Sequence, residues 1–219
     1  MRLHLKTTPT KEVINFNYQP ILTGAIHKWI GKNDVHDQIS LYSFSWLMGG
    51  HSNKNGLTFS NGANWFISAF DTGLLKKLIT GIQNDPEIAF GLNVSEIVVQ
   101  ENPEFKTEES RFISASPVLV KRTINDRDIH YTFDHVESDK FLTETLKHKL
   151  RTAGLSEDEV SVSFDRNYPK AKTKVIYYNN IGNRVNLCPV IIKGTPEQQA
   201  FAWNVGVGNS TGVGFGALN

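Results

Sequence analysis

Along this chain the spacing of apolar residues switches between a period of two and a period of about 3.6, and it does so in the same order twice. Residues 1–7 set Leu3 and Leu5 against Arg2, His4 and Lys6, which predicts a half-buried strand. Over residues 18–31, Leu22, Ala25, Ile26, Trp29 and Ile30 recur at three- and four-residue spacing. Pro20 suits the first turn of that helix and Gly31 can close it. Strands are predicted over 41–48, 57–60 and 65–70, with Gly49, Gly50, Asn53, Asn55 and Gly56 marking the turn between the first two. Asp71 is placed to cap a second helix with Leu74, Leu75, Leu78, Ile79 and Ile82 inward, and residues 94–100 read as the next strand.

The second half repeats the order. Strands are predicted over 112–122 and 129–133, joined by a turn at Asn125, Asp126 and Arg127. Ser138 or Asp139 opens a helix through Leu150, with Phe141, Leu142 and Leu146 also inward and Gly154 beyond its end. Further strands are predicted over 160–164, 174–178 and 185–193. Thr195-Pro196-Glu197 has the form of a cap and first turn for a helix reaching about Asn204, and a short strand over 215–218 ends the sequence. Strand–helix–strand–strand–helix–strand, twice, predicts an α+β chain of two tandem ferredoxin-like (RRM-like) modules with antiparallel sheets. The acidic stretch 101–110 is the natural boundary, giving an N-terminal module over 1–101 and a C-terminal module over 111–219. No residue-level repeat links the halves, so a single mixed α+β domain is the alternative.

Composition narrows the class. With 39% hydrophobic and 21% charged residues, the 219-residue chain can bury a core. No apolar run approaches the length that crosses a bilayer, and residues 1–10 alternate and carry charge, unlike a signal peptide. One cysteine, Cys188, is too few for an intramolecular disulfide or a cysteine-rich metal site. It lies in the apolar run 187–192 and is expected to be buried and inert. A cytoplasmic protein without a membrane partner is expected. The net charge of +1 points to no partner by itself. However, Arg166, Lys170, Lys172, Lys174 and Arg184 follow one another without an intervening acid, a local patch that suits phosphates or simply a solvated face.

Residues 206–216 run Gly-Val-Gly-Asn-Ser-Thr-Gly-Val-Gly-Phe-Gly. Five glycines in eleven residues allow positive φ and close backbone approach, and exposed amides in such a turn can hold an anion. The segment is not a Walker loop, because no Lys-Ser/Thr pair ends it and it follows a helix rather than opening one. Physics alone leaves two readings: an anion-binding turn, or a tight connection between helix and strand.

Gly-hydrophobic-Gly, five residues, Gly-hydrophobic-Gly is similar to the C-terminal signature of the CRISPR repeat endoribonucleases of the RAMP superfamily. Residues 19–30, with a central Gly24, resemble that family's first helix. Residues 41–45 resemble its next strand, and Ser114-Ala115-Ser116-Pro117-Val118 the strand opening its second module. The resemblance covers nearly the whole chain. It implies an endoribonuclease that needs no metal or cofactor and cuts CRISPR precursor RNA within each repeat. The ribose 2′-hydroxyl would attack, leaving a 2′,3′-cyclic phosphate and a 5′-hydroxyl. The alternative it leaves is a non-catalytic RNA-binding subunit of an effector complex. Beyond repeat RNA, association with other complex subunits and homodimerisation stay open.

Such chemistry needs a base for the 2′-hydroxyl proton, an acid for the departing 5′-oxygen and positive charge at the phosphate. Histidine suits both proton transfers. Of seven histidines, His4, His51, His130, His135 and His148 read as surface residues, with His51 in a turn that could touch RNA. His27 shares a helical face with Thr23, away from the apolar stripe, and His36 follows in the polar loop 32–37. Spacing alone does not separate this pair from ordinary exposed histidines. The resemblance places the general base on His36 and a second catalytic position on His27. Many family members carry a lysine shortly after the loop histidine, where this chain has Gln38-Ile39-Ser40; Lys28, Lys32 or the His27 imidazolium would take its charge. Candidate RNA contacts are Lys28, Lys32, the turn residues Ser52, Asn53 and Lys54, and the basic residues Arg166, Lys170, Lys172 and Lys174 of a second-half hairpin. Tyr168 could stack on a base. The glycine segment adds Gly208, Asn209, Ser210, Thr211 and Gly212.

Overall fold

The computed structural model describes residues 1–31 and 39–219. Two large hydrophobic cores organise it, with a small third cluster of Leu119, Ile176, Val185 and Phe215. The first joins β1 (Arg2–Thr7), α1 (Gln19–Ile30), β2 (Tyr42–Phe44), β5 (Asn64–Ala69), α2 (Thr72–Asn84), β6 (Glu87–Ala89) and β7 (Leu92–Gln100). Their sheet is antiparallel in the order β2-β5-β1-β7-β6. Leu3 and Leu5 point into the core with Leu22, Ile26 and Trp29 of α1 and Leu75, Leu78 and Ile82 of α2, so the inward stripes read from sequence are the buried ones. Asp71 caps α2 by accepting from the Gly73 amide, and Gly31 ends α1 at φ 74°. Between β2 and β5 the chain forms a small hairpin, β3 (His51–Asn53) with β4 (Gly56–Thr58).

The second core gathers β8 (Glu109–Phe112), α3 (Glu137–Thr152), β11 (Ser161–Phe164), β14 (Val190–Lys193) and α4 (Pro196–Val205). The antiparallel sheet runs β11-β14-β8. Two hairpins project from it, β9 (Lys121–Ile124) with β10 (Arg127–His130) and β12 (Lys172–Tyr178) with β13 (Ile181–Leu187). In each half the strands after the first helix pair inward toward the first strand, as a ferredoxin-like module requires.

Four predicted strands differ. The strand expected over 41–48 is reduced to β2, with an isolated bridge at Met48. Residues 112–122 are not one strand: the chain leaves the sheet after Phe112, pairs only at Ser114 and Val118, and resumes as β9. Pro117, which has no N–H to give a ladder, lies in the gap. The predicted strand 185–193 likewise breaks into β13 and β14 around Pro189. The final strand reduces to backbone bonds of Asn219 with Ile113 and of Ala217 with Ala115. These set residues 217–219 beside β8, where a fourth strand of the second module belongs. No described helix is long and apolar enough to cross a membrane.

The halves meet across buried polar contacts as well as apolar ones. Arg2 was read onto the polar side of β1, yet it is 1% exposed. Its guanidinium lies between the Phe66 and Trp203 rings, 3.7 and 3.6 Å from their centroids. It donates to Ser68 Oγ at 2.7 Å and to the Leu218 carbonyl at 2.6 Å.

Candidate functional site

The glycine segment 206–216 is an internal connection rather than an exposed loop. Apart from exposed Ser210 and half-buried Asn209 and Val213, it is buried. It threads between β2 and α1 of the first half and the core of the second. Glycine is demanded by space at all five of its positions in the segment, and at two of them the obstacle is a first-half side chain. At Gly212 a Cβ would stand 2.2 Å from Ser40 Oγ and 3.0 Å from Tyr42 Oη. At Gly214, with φ 94°, it would meet the Phe44 ring at 2.9 Å. First-half side chains bind the segment and the helix before it: Tyr42 Oη donates to the Gly212 carbonyl at 3.0 Å, Trp46 Nε1 to that of Gly214 at 3.0 Å, and Ser43 Oγ to that of Asn204 at 3.0 Å.

His27 stands at this junction. It is half-buried on α1, and its Nε2 lies 3.5 Å from Tyr42 Oη. Thr23, one turn earlier, is buried and donates to the Gln19 carbonyl. The face read as lying away from the apolar stripe therefore packs toward the C-terminal segment, because tertiary contact covers what a lone helix would expose. Burial pushes the Tyr42 phenol up to about 12, with Tyr178 adding to the shift, so it stays protonated at neutral pH.

On the other side of the segment lies Lys149, 2% exposed. Its ammonium donates to the carbonyls of Val205 and Gly206 and to Thr211 Oγ1, at 2.9, 3.3 and 2.9 Å. No carboxylate among the described residues pairs with it. Ile39, Ser40, Thr145, Lys149 and residues 208–211 line a small surface pocket here, with Ser210 at its open side. Neither Tyr42 nor Lys149 was read as functional from sequence. Tyr42 was hidden in an apolar strand. Lys149 carried a signal, since it lies seven residues after Leu142 on the inward stripe of its helix.

The other candidates are dispersed. His36 and Lys32 lie outside the described residues. Lys28 is exposed but engaged, pairing with Asp85 at 2.8 Å and donating to the Glu87 carbonyl; that pairing holds the Asp85 carboxyl below its ordinary range. Ser52, Asn53 and Lys54 are exposed at the tip of the β3–β4 hairpin, with Asn53 Oδ1 accepting from the Asn55 and Gly56 amides. Asn209 Oδ1 accepts from the Lys121 amide, and Thr211 is held by Lys149.

Arg166 does not belong to the β12–β13 hairpin. It sits in the turn after β11, 2.5 Å from Asp139 and bonded to the His135 carbonyl. Its acidic partner comes from α3, so the absence of acids along the local sequence did not mean an unpaired charge. Lys170 is exposed just before the hairpin; Lys172 and Lys174 are exposed on β12, with no ion pair among the described residues. Tyr168 packs under Arg111, 5.5 Å from its guanidinium. Cys188 is buried, and burial raises its thiol to about 11.

The family description "CRISPR associated protein Cas6, C-terminal" matches residues 100–219, more than half of the chain. No curated protein sequence matches. Among solved structures, one described as CRISPR associated protein Cas6 superposes with a TM-score of 0.83 at 19% identity, covering 100% of this chain and 98% of the other. A Cas6-related protein from Pyrococcus furiosus gives 0.84 at 19% identity, covering 100% and 97%. A RAMP protein described as binding different RNA substrates gives 0.81 at 19% identity, covering 100% and 98%. At these identities the superpositions establish the shared fold.

Proposed function

The chain belongs to the Cas6 family of CRISPR-associated proteins, and from that membership we propose that it binds CRISPR repeat RNA and cuts it without a metal ion. His36 is the general base that takes the proton from a ribose 2′-hydroxyl. The oxygen attacks the adjacent phosphorus, the bond to the 5′-oxygen breaks, and the products carry a 2′,3′-cyclic phosphate and a 5′-hydroxyl. His27, as imidazolium, stabilises charge on the phosphorane or protonates the leaving oxygen. The modules 1–101 and 111–219 divide the work, the first supplying the histidines and the second, through Lys172 and Lys174, much of the phosphate contact. Ser210 and the pocket beside Lys149 offer a further contact for the backbone of the RNA. Such contacts fix position and register without reading sequence.

One observation carries the reading. His27, singled out from the first helix, lies against the C-terminal glycine segment through Tyr42, although 185 positions separate His27 from Gly212 in the sequence. The fold thus brings the family's terminal signature to a residue able to move protons.

The test is cleavage of a cognate repeat RNA in EDTA, with a 2′-deoxy substitution at the cut site as control. Cutting is expected in EDTA and none on the deoxy substrate. His36→Ala should slow single-turnover cleavage by roughly 10²–10⁴-fold while leaving most binding, and His27→Ala should also slow it. A requirement for Mg²⁺, or cutting of the deoxy substrate, would sink this mechanism. Tight binding with no product at any pH would assign the chain to the non-catalytic RNA-binding members.

A further inference from the structure

We propose that Tyr42 is a positioning residue for His27, and that the glycine segment acts on the chemistry through it. The inference rests on the role given to His27 above. It starts from proton counting. A phenol has one hydrogen, and Tyr42 gives it to the Gly212 carbonyl at 3.0 Å. Its oxygen is left only with lone pairs, and His27 Nε2 faces that oxygen at 3.5 Å. Two acceptors do not attract one another, so Nε2 must carry a hydrogen. The contact is long for a hydrogen bond, as catalytic contacts without substrate often are, and it tightens when RNA is bound.

Two consequences follow. The imidazole is held in one orientation and one tautomer, with Nε2–H toward Tyr42. An accepting oxygen at that nitrogen also favours the imidazolium, the form that stabilises a phosphorane. Tyr42 is itself 2% exposed and does not reach RNA, so it acts only through His27. Among the described residues, Tyr178 of β12 also bears on Tyr42. The hydroxyl is aimed by Gly212, because any side chain there would displace it: a Cβ would lie 3.0 Å from the oxygen and 2.2 Å from Ser40 Oγ. The segment therefore sets the geometry of a histidine at the opposite end of the sequence through Tyr42.

The test reads the ring directly. In protein labelled with ¹⁵N-histidine, the wild-type spectrum is expected to show His27 as the Nε2–H tautomer when neutral. In Tyr42→Phe, which keeps the ring in the core, the His27 nitrogen shifts should move toward a tautomer mixture. In single-turnover cleavage the rate constant should fall about tenfold, with RNA affinity unchanged. An Nδ1–H tautomer in the wild type overturns the proposal, as do ring shifts indifferent to Tyr42→Phe. So does a variant that loses affinity but keeps its cleavage rate. The wild-type tautomer requires no variant to fold. If wild-type protein cuts no RNA, the cleavage reading fails, while the spectrum still decides whether Tyr42 holds His27.

Discussion

Two cations, Arg2 and Lys149, are buried without a carboxylate among the described residues, and each is satisfied by a different device. Arg2 spreads its charge between two aromatic faces and gives its N–H groups to oxygens of both halves. Lys149 spends three hydrogens on three oxygens, two of them at the carbonyl end of α4, where the helix dipole favours a cation. Burial nevertheless lowers Lys149 to about 7 from 10.5. Between those pH values the unfolded chain holds a proton that the folded chain has released, so stability rises with pH across that window. The penalty is full below about 7. Denaturant titrations between pH 7 and 9.5 should show a slope of up to about 1.4 kcal/mol per unit from this group. In Lys149→Met that component should vanish, and an unchanged slope would refute the assignment. The signal for Lys149 was present in the sequence as a charge on an apolar stripe. For Arg2 there was none, because a strand's second face is polar or covered according to what packs on it, and Trp203 lies two hundred residues away.

At the scale of elements, local chemistry was largely legible, although α3 opens at Glu137, ahead of the expected Ser138 or Asp139 and without a side-chain cap. Thr195-Pro196 marked the start of α4, and the structure forms a capping box there: Thr195 Oγ1 accepts from the Gln198 amide and Gln198 Oε1 from the Thr195 amide. Gln198 Nε2 also donates to the Ser156 and Asp158 carbonyls, tying the helix to the loop after α3. Thr195→Ala should lower unfolding stability by about 1 kcal/mol. Gln198→Ala should cost more, since it also removes the two bonds to the Ser156 and Asp158 carbonyls. Chemical denaturation of both variants checks the ranking, and equal losses would mean that the cap alone matters. The elements that differed from expectation are those whose pairing is nonlocal. Apolar runs 112–122 and 185–193 each looked continuous, although Pro117 and Pro189 were visible within them. Alternation fixes which residues face inward, but not where a strand leaves its neighbour. The same limit hid the glycine segment's burial: composition permits close approach but does not name what approaches.

The whole molecule is two ferredoxin-like modules stitched along α1, β2, α4 and residues 206–219. If Lys172 and Lys174 meet RNA phosphates, replacing both with Ala should flatten the log–log dependence of affinity on salt by roughly 0.7 per contact. Arg166→Ala should leave that slope alone and instead reduce stability by about 1 kcal/mol, because its partner is Asp139. Binding measured from 50 to 300 mM salt, beside thermal unfolding, separates the two roles. A slope change for Arg166 alone would reverse them. The sequence by itself determined the order of strands and helices, their inward faces, the caps of α2 and α4 and the family signature. All of these follow from periodicities and short-range hydrogen bonds within a few residues. Only the tertiary structure decided that Arg166 is paired, that Arg2 and Lys149 are buried, and that Tyr42 joins His27 to Gly212. Those facts depend on which distant atoms share a few ångströms, and that proximity is set by packing rather than by spacing along the chain.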